Sequence, residues 1–192
     1  ITIKDAIATA GIRSTGGSAE LLGNVPDVDA EVVAAVKRAG AIVFGKTNVP
    51  RWSGDLQTFN EMFGTTNNPW DLTRVPGGSS GGAAAAVACG MTSFEIGTDI
   101  GGSVRLPACW NGIFTLKPSL GRVPADPPFL GRIIGPMTRT VNDSALLMAE
   151  FSQPGWRHNI GLPPAGGDRL AGPPGPQGPD AGPARARGAG PA

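Results

Sequence analysis

The sequence predicts an α/β fold, because helices and short apolar strands alternate along most of its length. Hydrophobic residues make up 40% of the 192 residues and charged residues 16%, a balance typical of a globular domain. Residues 29–39 have the periodicity of an amphipathic helix, and residues 82–89 form a second helix of small residues. Apolar runs at 41–44 and 93–96 follow these helices and are predicted to be strands.

The first elements are a buried strand over residues 1–3 and a helix over residues 29–39. Asp29 is the predicted N-cap of this helix and Gly40 its stop signal. The face predicted to be buried carries Val32, Val33 and Val36. The run 41–44 then leaves the helix as a strand.

Residues 45–70 are irregular in pattern and rich in Asn, Thr and Pro, as is typical of a long loop at a functional site. Such a segment can line a ligand pocket or pack into a small core of its own, and the sequence favours neither alternative. The large side chains concerned are Trp52, Phe59, Met62 and Phe63.

The second half of the chain repeats the order of helix and strand. Gly90 ends the predicted helix at 82–89, and the strand at 93–96 follows it. Thr140 and Asp143 form a capping pattern ahead of an apolar run, which predicts the start of a further helix.

Residues 165–192 form a low-complexity tail, since 21 of these 28 residues are Gly, Ala or Pro. Such a segment offers no core and is expected to be disordered. The chain begins with Ile1 instead of Met, which leaves open that upstream sequence is missing.

Charge and cysteine content restrict the class of protein. The net charge is +1 with the cations scattered, so we expect no nucleic-acid partner. Cys89 and Cys109 stand in apolar surroundings and are predicted to be buried free thiols of a reducing compartment. No run of apolar residues is long enough for a membrane span and no signal peptide is visible, which favours the cytoplasm.

Two glycine-rich runs stand out, GGSSGG at 77–82 and GTDIGGSVR at 97–105. Each alone can be a tight turn. A phosphate-binding loop is excluded for the first run, because Ala83 and Ala84 occupy the positions where that motif requires Lys and Ser or Thr.

A serine nucleophile in these runs needs a base, because a free hydroxyl attacks an amide too slowly at neutral pH. The only histidine is His158, which lies outside any motif, so a Ser-His-Asp triad is not indicated. A lysine must then accept the proton. Lys4, at the end of the first strand, can do so if burial lowers its pKa by several units.

Together the two runs resemble the defining motif of the amidase signature family. Ser79 lies 24 residues before Ser103 and 75 residues after Lys4, which is similar to the spacing of that family's Ser-Ser-Lys triad. Further segments also resemble family landmarks: GKTN at 45–48, NNPWD at 67–71, LKPS at 116–119 and GPMTRT at 135–140. The resemblance covers residues 1–164 and implies a twisted mixed β-sheet flanked by helices, incomplete at both ends.

The resemblance implies a role for each residue of the motif. Ser103 would be the nucleophile, Ser79 the bridging serine and Lys4 the base, with a cis peptide bond between Gly78 and Ser79. The backbone amides implied to stabilise the oxyanion belong to Ile100, Gly101 and Gly102. Losing one such donor typically costs about 3 to 4 kcal/mol of barrier.

Other polar residues of the motif are expected to support it. Ser80 would form hydrogen bonds around the same turn as Ser79. Asp99 and Arg105 flank the nucleophile and would either form an ion pair that fixes its loop or contact the substrate. Lys46 is too close in sequence to Ser79 for the spacing of the family, so we assign it to loop structure.

The function implied by the resemblance is hydrolysis of a small-molecule carboxamide through an acyl-enzyme, without a cofactor or metal. The alternatives are the A-type subunit of a transfer-RNA-dependent amidotransferase and a non-catalytic remnant. Residues 47–52 and 55–60 resemble stand-alone amidases more than they resemble that amidotransferase. A homodimer of the full-length protein is left open. Because only three residues precede Lys4, we expect it to be solvated, and the chain by itself to be poorly folded and inactive.

Overall fold

The computed structural model describes residues 1–126 and 129–152. Helices and strands alternate in it, with two short 3-10 turns at Ala19–Leu21 and Arg51–Ser53. The strands are β1 (Thr2–Lys4), β2 (Gly45–Thr47), β3 (Phe59–Asn60), β4 (Gly64–Thr65), β5 (Phe94–Asp99), β6 (Phe114–Thr115) and β7 (Ile133–Thr138). The helices are α1 (Glu31–Arg38), α2 (Gly81–Ala88), α3 (Arg105–Asn111) and α4 (Val141–Phe151).

The strands pair in both orientations, which confirms a mixed α/β architecture. β1 and β2 are parallel, with Thr2 opposite Gly45 and Lys4 opposite Thr47. β7 lies between β5 and β6 and is antiparallel to both, while β3 and β4 form a small antiparallel pair. β1 also lies beside β5, so the end of the first strand meets the strand that precedes the second glycine-rich run.

Helices cover both faces of the strand β7. On one face Ile134 joins a core cluster supplied by β1, β5, α1 and α4, whose fully buried members include Ile3, Val33, Val36, Ile96 and Phe151. On the other face Met137 packs with Ala83 and Ala84 of α2 and with Val104. The small side chains of α2 let this helix approach the sheet closely, which positions the first glycine-rich run.

Local signals predicted some boundaries correctly and others not. The Thr140 side chain accepts a hydrogen bond from the amide of Asp143, so the predicted cap of α4 is confirmed. The predicted N-cap of α1 is wrong: Ala30 occupies that position. The Asp29 carboxylate instead accepts hydrogen bonds from the Ala10 amide at 2.8 Å and the Lys37 ammonium at 2.8 Å.

The strand predicted at 41–44 is displaced along the chain. β2 begins only at Gly45, because residues 45–47 are the ones that pair with β1. Two apolar side chains of the predicted strand, Ile42 and Phe44, are exposed. β5, by contrast, extends three residues beyond its predicted end because β7 pairs along its whole length.

Both cysteines are free but exposed, so the prediction that they are buried is wrong. Cys89 directly follows α2, where Ala85 and Ala88 are only half-buried. Cys109 lies in α3 next to the exposed Trp110, on the face directed at solvent. Neighbouring apolar residues therefore did not indicate which side of the helix faces the core.

In the part of the chain that the structure describes, no helix has the length and apolar character needed to cross a membrane. The predicted low-complexity tail, residues 165–192, and His158 lie outside the described residues.

The close packing of α2 leads to a first testable prediction. A Cβ added at Gly82 would lie 2.6 Å from the backbone nitrogen of Asn48 and 3.0 Å from its Cα. We expect Gly82→Ala to lower the free energy of unfolding by about 2 kcal/mol, although alanine favours helix formation. Gly23→Ala is the matched control, since a Cβ there meets nothing within 4 Å. Equal midpoints in urea for the two variants would contradict the prediction.

Candidate active site

The side chain of Lys4 lies at the centre of the candidate site and is fully buried. Its Nζ donates hydrogen bonds to three hydroxyl groups, those of Ser79 at 2.7 Å, Thr98 at 2.8 Å and Ser80 at 2.9 Å. The structure thus joins the end of β1 to both glycine-rich runs. Three neutral partners can stabilise either protonation state of an amine.

Burial lowers the pKa of Lys4 to about 7, and the negative charges of Glu95 and Asp99 limit this decrease while Arg132 adds to it. The expectation that Lys4 is solvated in this chain is therefore wrong. Its strand is covered by β2, β5 and α2, all of which follow it in sequence. Burial of Lys4 therefore requires no residues before Ile1, because later segments of the same chain cover its strand.

Ser79 is buried next to a backbone that needs glycine. The peptide bond between Gly78 and Ser79 is cis, as the resemblance implied. A Cβ at Gly78 would clash with the carbonyl oxygen of Asp55 and lie 2.8 Å from the Cα of Leu56. Glycine is required at this position because the long loop passes directly over it.

Ser80 links the two glycine-rich runs. Its hydroxyl accepts from Lys4 and donates to the carbonyl oxygen of Thr98 at 3.4 Å, and its amide donates to the carbonyl oxygen of Ser103 at 3.1 Å. The Thr98 carbonyl oxygen is the acceptor within reach of the Ser80 proton, and the Ser80 oxygen accepts from Lys4. Ser80 therefore orients the amine.

Ser103 follows the turn at Gly101 and Gly102, where Gly102 has a φ of +122°, and it is half-buried. Within residues 1–126 and 129–152 its hydroxyl has no hydrogen-bond partner, and it faces the same cavity as Ser79. A hydroxyl that is accessible and unengaged is available to a ligand in that cavity.

Asp99 organises the turn before Ser103. Its carboxylate is almost fully buried, accepts from the amides of Gly102 at 2.9 Å and Val104 at 3.0 Å, and forms two hydrogen bonds with the Arg105 guanidinium at 2.9 and 3.1 Å. Burial opposes ionisation, but the hydrogen bonds from Arg105, Val104 and Gly102 prevail and lower the pKa of Asp99 to about 2. Arg105 is thus directed at Asp99 in a bidentate ion pair.

This geometry changes the expected set of oxyanion donors. The Gly102 amide is committed to Asp99 and does not point into the cavity, which differs from its predicted role. Ile100 and Gly101 line the cavity beside Ser103. Of the three amides predicted to stabilise the oxyanion, the Gly102 amide therefore donates to the Asp99 carboxylate instead.

Lys46 is held elsewhere. Its Nζ donates to the carbonyl oxygen of Ile7 and to the hydroxyls of Thr9 and Ser14, both at 2.9 Å. It lines a separate cavity of about 440 Å³ that contains neither Ser79 nor Ser103. Burial lowers its pKa to about 8, although the nearby carboxylate of Asp5 opposes this. These hydrogen bonds of Lys46 stabilise the conformation of the loop at residues 7–14.

The serines open onto a cavity of about 840 Å³. Its wall includes Trp52, Leu56 and Phe129, together with the charged side chains of Asp55 and Arg132. Of the four large side chains for which the sequence left a pocket and a small separate core as alternatives, Trp52 alone lines this cavity. The other three, Phe59, Met62 and Phe63, line separate cavities.

Trp52 is held over this cavity by an uncommon backbone conformation. It and Ser53 have positive φ values of 54° and 56°, a left-handed region that side chains other than glycine rarely adopt. The Trp52 amide donates to the carbonyl oxygen of Gly16 at 2.8 Å. Local sequence could not indicate this conformation.

Sequence reasoning missed two polar residues of β5. Thr98 contacts Lys4 directly, and Glu95 is fully buried with hydrogen bonds from the Thr47 hydroxyl at 2.7 Å and the Ile96 amide at 2.8 Å. A glutamate inside a strand predicted to be buried was a signal for Glu95, since buried carboxylates require partners.

The chain is similar to known proteins along most of its length. A family model described as Amidase matches residues 1–163. The A-type subunit of the glutamyl-tRNA(Gln) amidotransferase of Maridesulfovibrio salexigens is 47% identical over 156 residues, which are 77% of this chain and 31% of that protein.

Solved structures are similar as well. The corresponding amidotransferase protein from Thermotoga maritima has a TM-score of 0.77 at 40% identity, covering 84% of this chain and 36% of that one. The peptide amidase of Stenotrophomonas maltophilia has a TM-score of 0.77 at 32% identity, covering 88% of this chain and 36% of that one. The chain thus spans about a third of the length of the relatives it matches.

Proposed function

The chain belongs to the amidase family, and from this we propose that a full-length protein containing it hydrolyses carboxamides through an acyl-enzyme on Ser103. The observation that carries the proposal is the buried Lys4, whose Nζ lies 2.7 Å from Ser79 and whose pKa of about 7 leaves a large neutral fraction at physiological pH. A neutral amine in contact with a serine is a competent base.

In the proposed first half-reaction, Ser103 attacks the amide carbon. A carbon–oxygen bond forms while the Ser103 proton passes to Ser79, and the Ser79 proton passes to Lys4. Ser80 accepts from Lys4 and has the Thr98 carbonyl oxygen as an acceptor for its own proton. Ser79 is therefore the proposed hydroxyl partner that transfers its proton to the amine. The amides of Ile100 and Gly101, which line the cavity beside Ser103, are the proposed donors that stabilise the oxyanion.

Collapse of this intermediate breaks the carbon–nitrogen bond. The leaving nitrogen takes the proton from Lys4 by way of Ser79, so ammonia or an amine departs neutral and Lys4 is neutral again. Water then attacks the ester carbon and its proton passes through Ser79 to Lys4. When the carbon–oxygen bond to Ser103 breaks, this proton returns through Ser79 to the Ser103 oxygen and the carboxylic acid leaves. Each proton accepted is returned.

A second function is favoured by the sequence identity of 47% to the amidotransferase protein of Maridesulfovibrio salexigens. In a role of that kind, glutamine would be the amide and the released ammonia would be used elsewhere. Both functions need the same cleavage of a carboxamide. They differ in substrate, and the apolar wall formed by Trp52, Leu56 and Phe129 supports amides larger and less polar than glutamine.

Localisation and partners are also part of the proposal. We propose that the full-length protein acts in the cytoplasm on a small-molecule amide. A net charge of +1 without a basic cluster supports the further proposal that it has no nucleic-acid partner. A homodimer of the full-length protein stays open.

The test is a substrate panel with the full-length protein. We expect aryl and medium-chain aliphatic amides to be converted to their acids at least tenfold faster than glutamine, because the apolar wall favours them. Ammonia release and acid formation are measured together, with Ser103→Ala as the blank. Hydrolysis of glutamine alone would favour the amidotransferase role, and no hydrolysis above the blank would favour a non-catalytic remnant.

A further inference from the structure

Glu95 is a buried carboxylate that has no role in the proposed transfer of protons between Ser103, Ser79 and Lys4. Its side chain is fully buried in β5, and both carboxylate oxygens accept hydrogen bonds from neutral donors, Thr47 and Ile96. No lysine or arginine in the described ranges lies within ion-pairing distance of it. Positive charge at longer range favours the ionised form of a carboxyl group buried in this way.

Lys4 is placed to supply that charge. Thr47, which donates to Glu95, is the residue opposite Lys4 in the parallel pair of β1 and β2, and β5 lies beside β1. Lys46 contributes from the other face of the same strand pair, because adjacent strand residues point to opposite faces. Glu95 thus interacts electrostatically with both lysines, and also with the amino terminus of Ile1.

The other charges near Lys4 are already matched. Asp99 is paired with Arg105 and accepts two amides of its own turn. Asp5, which follows Lys4, accepts the amides of Thr15 and Gly17 and the Thr15 hydroxyl. Arg132 adds positive charge. Of the two carboxylates that act on Lys4, Asp99 is ion-paired with Arg105, whereas Glu95 forms no ion pair within the described residues.

We propose that Glu95 is a positioning residue whose buried negative charge sets the protonation state of Lys4. The inference rests on the proposed function, because it matters to catalysis only if Lys4 is the base. When Ser103 attacks, Lys4 must become a cation although its side chain is fully buried. Glu95 stabilises that cation and so strengthens the base, while Thr47 holds the carboxylate in place.

Electrostatics gives the direction of the expected change. Burial raises the pKa of Glu95, and the hydrogen bonds from Thr47 and Ile96 oppose this. Together with the positive charge of Lys46, these hydrogen bonds favour the ionised carboxylate. Glu95→Gln then removes a negative charge near Lys4 and should lower the pKa of Lys4 by about one unit. A merely structural Glu95 would change stability and leave the pKa of Lys4 where it was.

The test measures Lys4 directly and does not depend on activity. The chain has four lysines, so their 13Cε signals can be followed by NMR during a pH titration, and Lys4→Met assigns the signal of Lys4. We expect Glu95→Gln to move the Lys4 midpoint about one pH unit lower. Glu95→Asp, which keeps the charge, and Thr47→Val, which removes only a hydrogen bond, should leave it near the wild-type value.

A reciprocal measurement covers the case in which Glu95→Gln does not fold. Interaction between two titrating groups acts equally on both, so Lys4→Met should raise the midpoint of the Glu95 carboxyl signal by a similar amount. An unmoved Lys4 midpoint in Glu95→Gln, or an unmoved Glu95 midpoint in Lys4→Met, overturns the proposal. A normal shift in a full-length protein without amide hydrolysis would leave this inference standing and reject the proposed function instead.

Discussion

Lys4→Met in the full-length protein is expected to reduce kcat/KM for amide hydrolysis by about 10³-fold or more. Methionine fills a similar buried volume but cannot accept the proton that reaches it through Ser79. The side chain it replaces is fully buried and contacts three hydroxyls, so the loss should appear in kcat with little change in KM. Steady-state kinetics on an aryl amide measures both.

Lys46→Met is the matched control. It removes the other lysine of the strand pair, whose contacts are with Ile7, Thr9 and Ser14 of a loop. We expect it to lower the melting temperature and to retain most of the turnover below that temperature. Near-normal turnover in Lys4→Met, with loss of turnover but not of stability in Lys46→Met, would show that the proton relay is assigned to the wrong lysine.

The pH dependence of the wild type provides a check on the same residue. Since the folded-state pKa of Lys4 is lowered to about 7, the base is mostly protonated and inactive below this pH and mostly neutral above it. We therefore expect kcat/KM to rise with pH and to level off about one unit above this pKa. A rate that falls over this range would be inconsistent with a neutral lysine as the base.

Ser103→Ala is expected to lower amide hydrolysis by about 10⁴-fold or more, because no covalent intermediate can form without its hydroxyl. A fluorophosphonate probe should modify Ser103 in the wild type and no other serine. Ser103 is the accessible, unengaged hydroxyl of the site, whereas Ser79 and Ser80 are buried against Lys4. Peptide mass spectrometry locates the adduct.

Ser93→Ala is the matched control, because Ser93 is exposed and directly precedes β5, at the end of this strand far from Ser103 in sequence. It should keep wild-type turnover and labelling. An adduct on Ser79 or Ser80, or an active protein that forms no adduct at all, would overturn the assignment of Ser103 as nucleophile.

Features decided by near neighbours could be predicted from the sequence. The cap of α4 depends on Thr140 and Asp143, three residues apart, and it forms as predicted. α2 differs by one residue from its predicted range, since the run of small residues and Gly90 define it locally. The resemblance in the two glycine-rich runs identified the family, because those runs are short and contiguous.

Features that depend on distant segments were decided by the tertiary structure. Lys4 meets its hydroxyl partners 75, 76 and 94 residues away, and no local pattern shows that these contacts bury it. The start of β2 depends on its register with β1. Whether the Gly102 amide can act as an oxyanion donor depends on the orientation of the Asp99 carboxylate, which accepts its hydrogen bond. The electrostatic interaction of Glu95 with two lysines depends on the packing of β1, β2 and β5. Residue types define which groups can ionise or donate, but burial and partners set their pKa, and packing alone determines these.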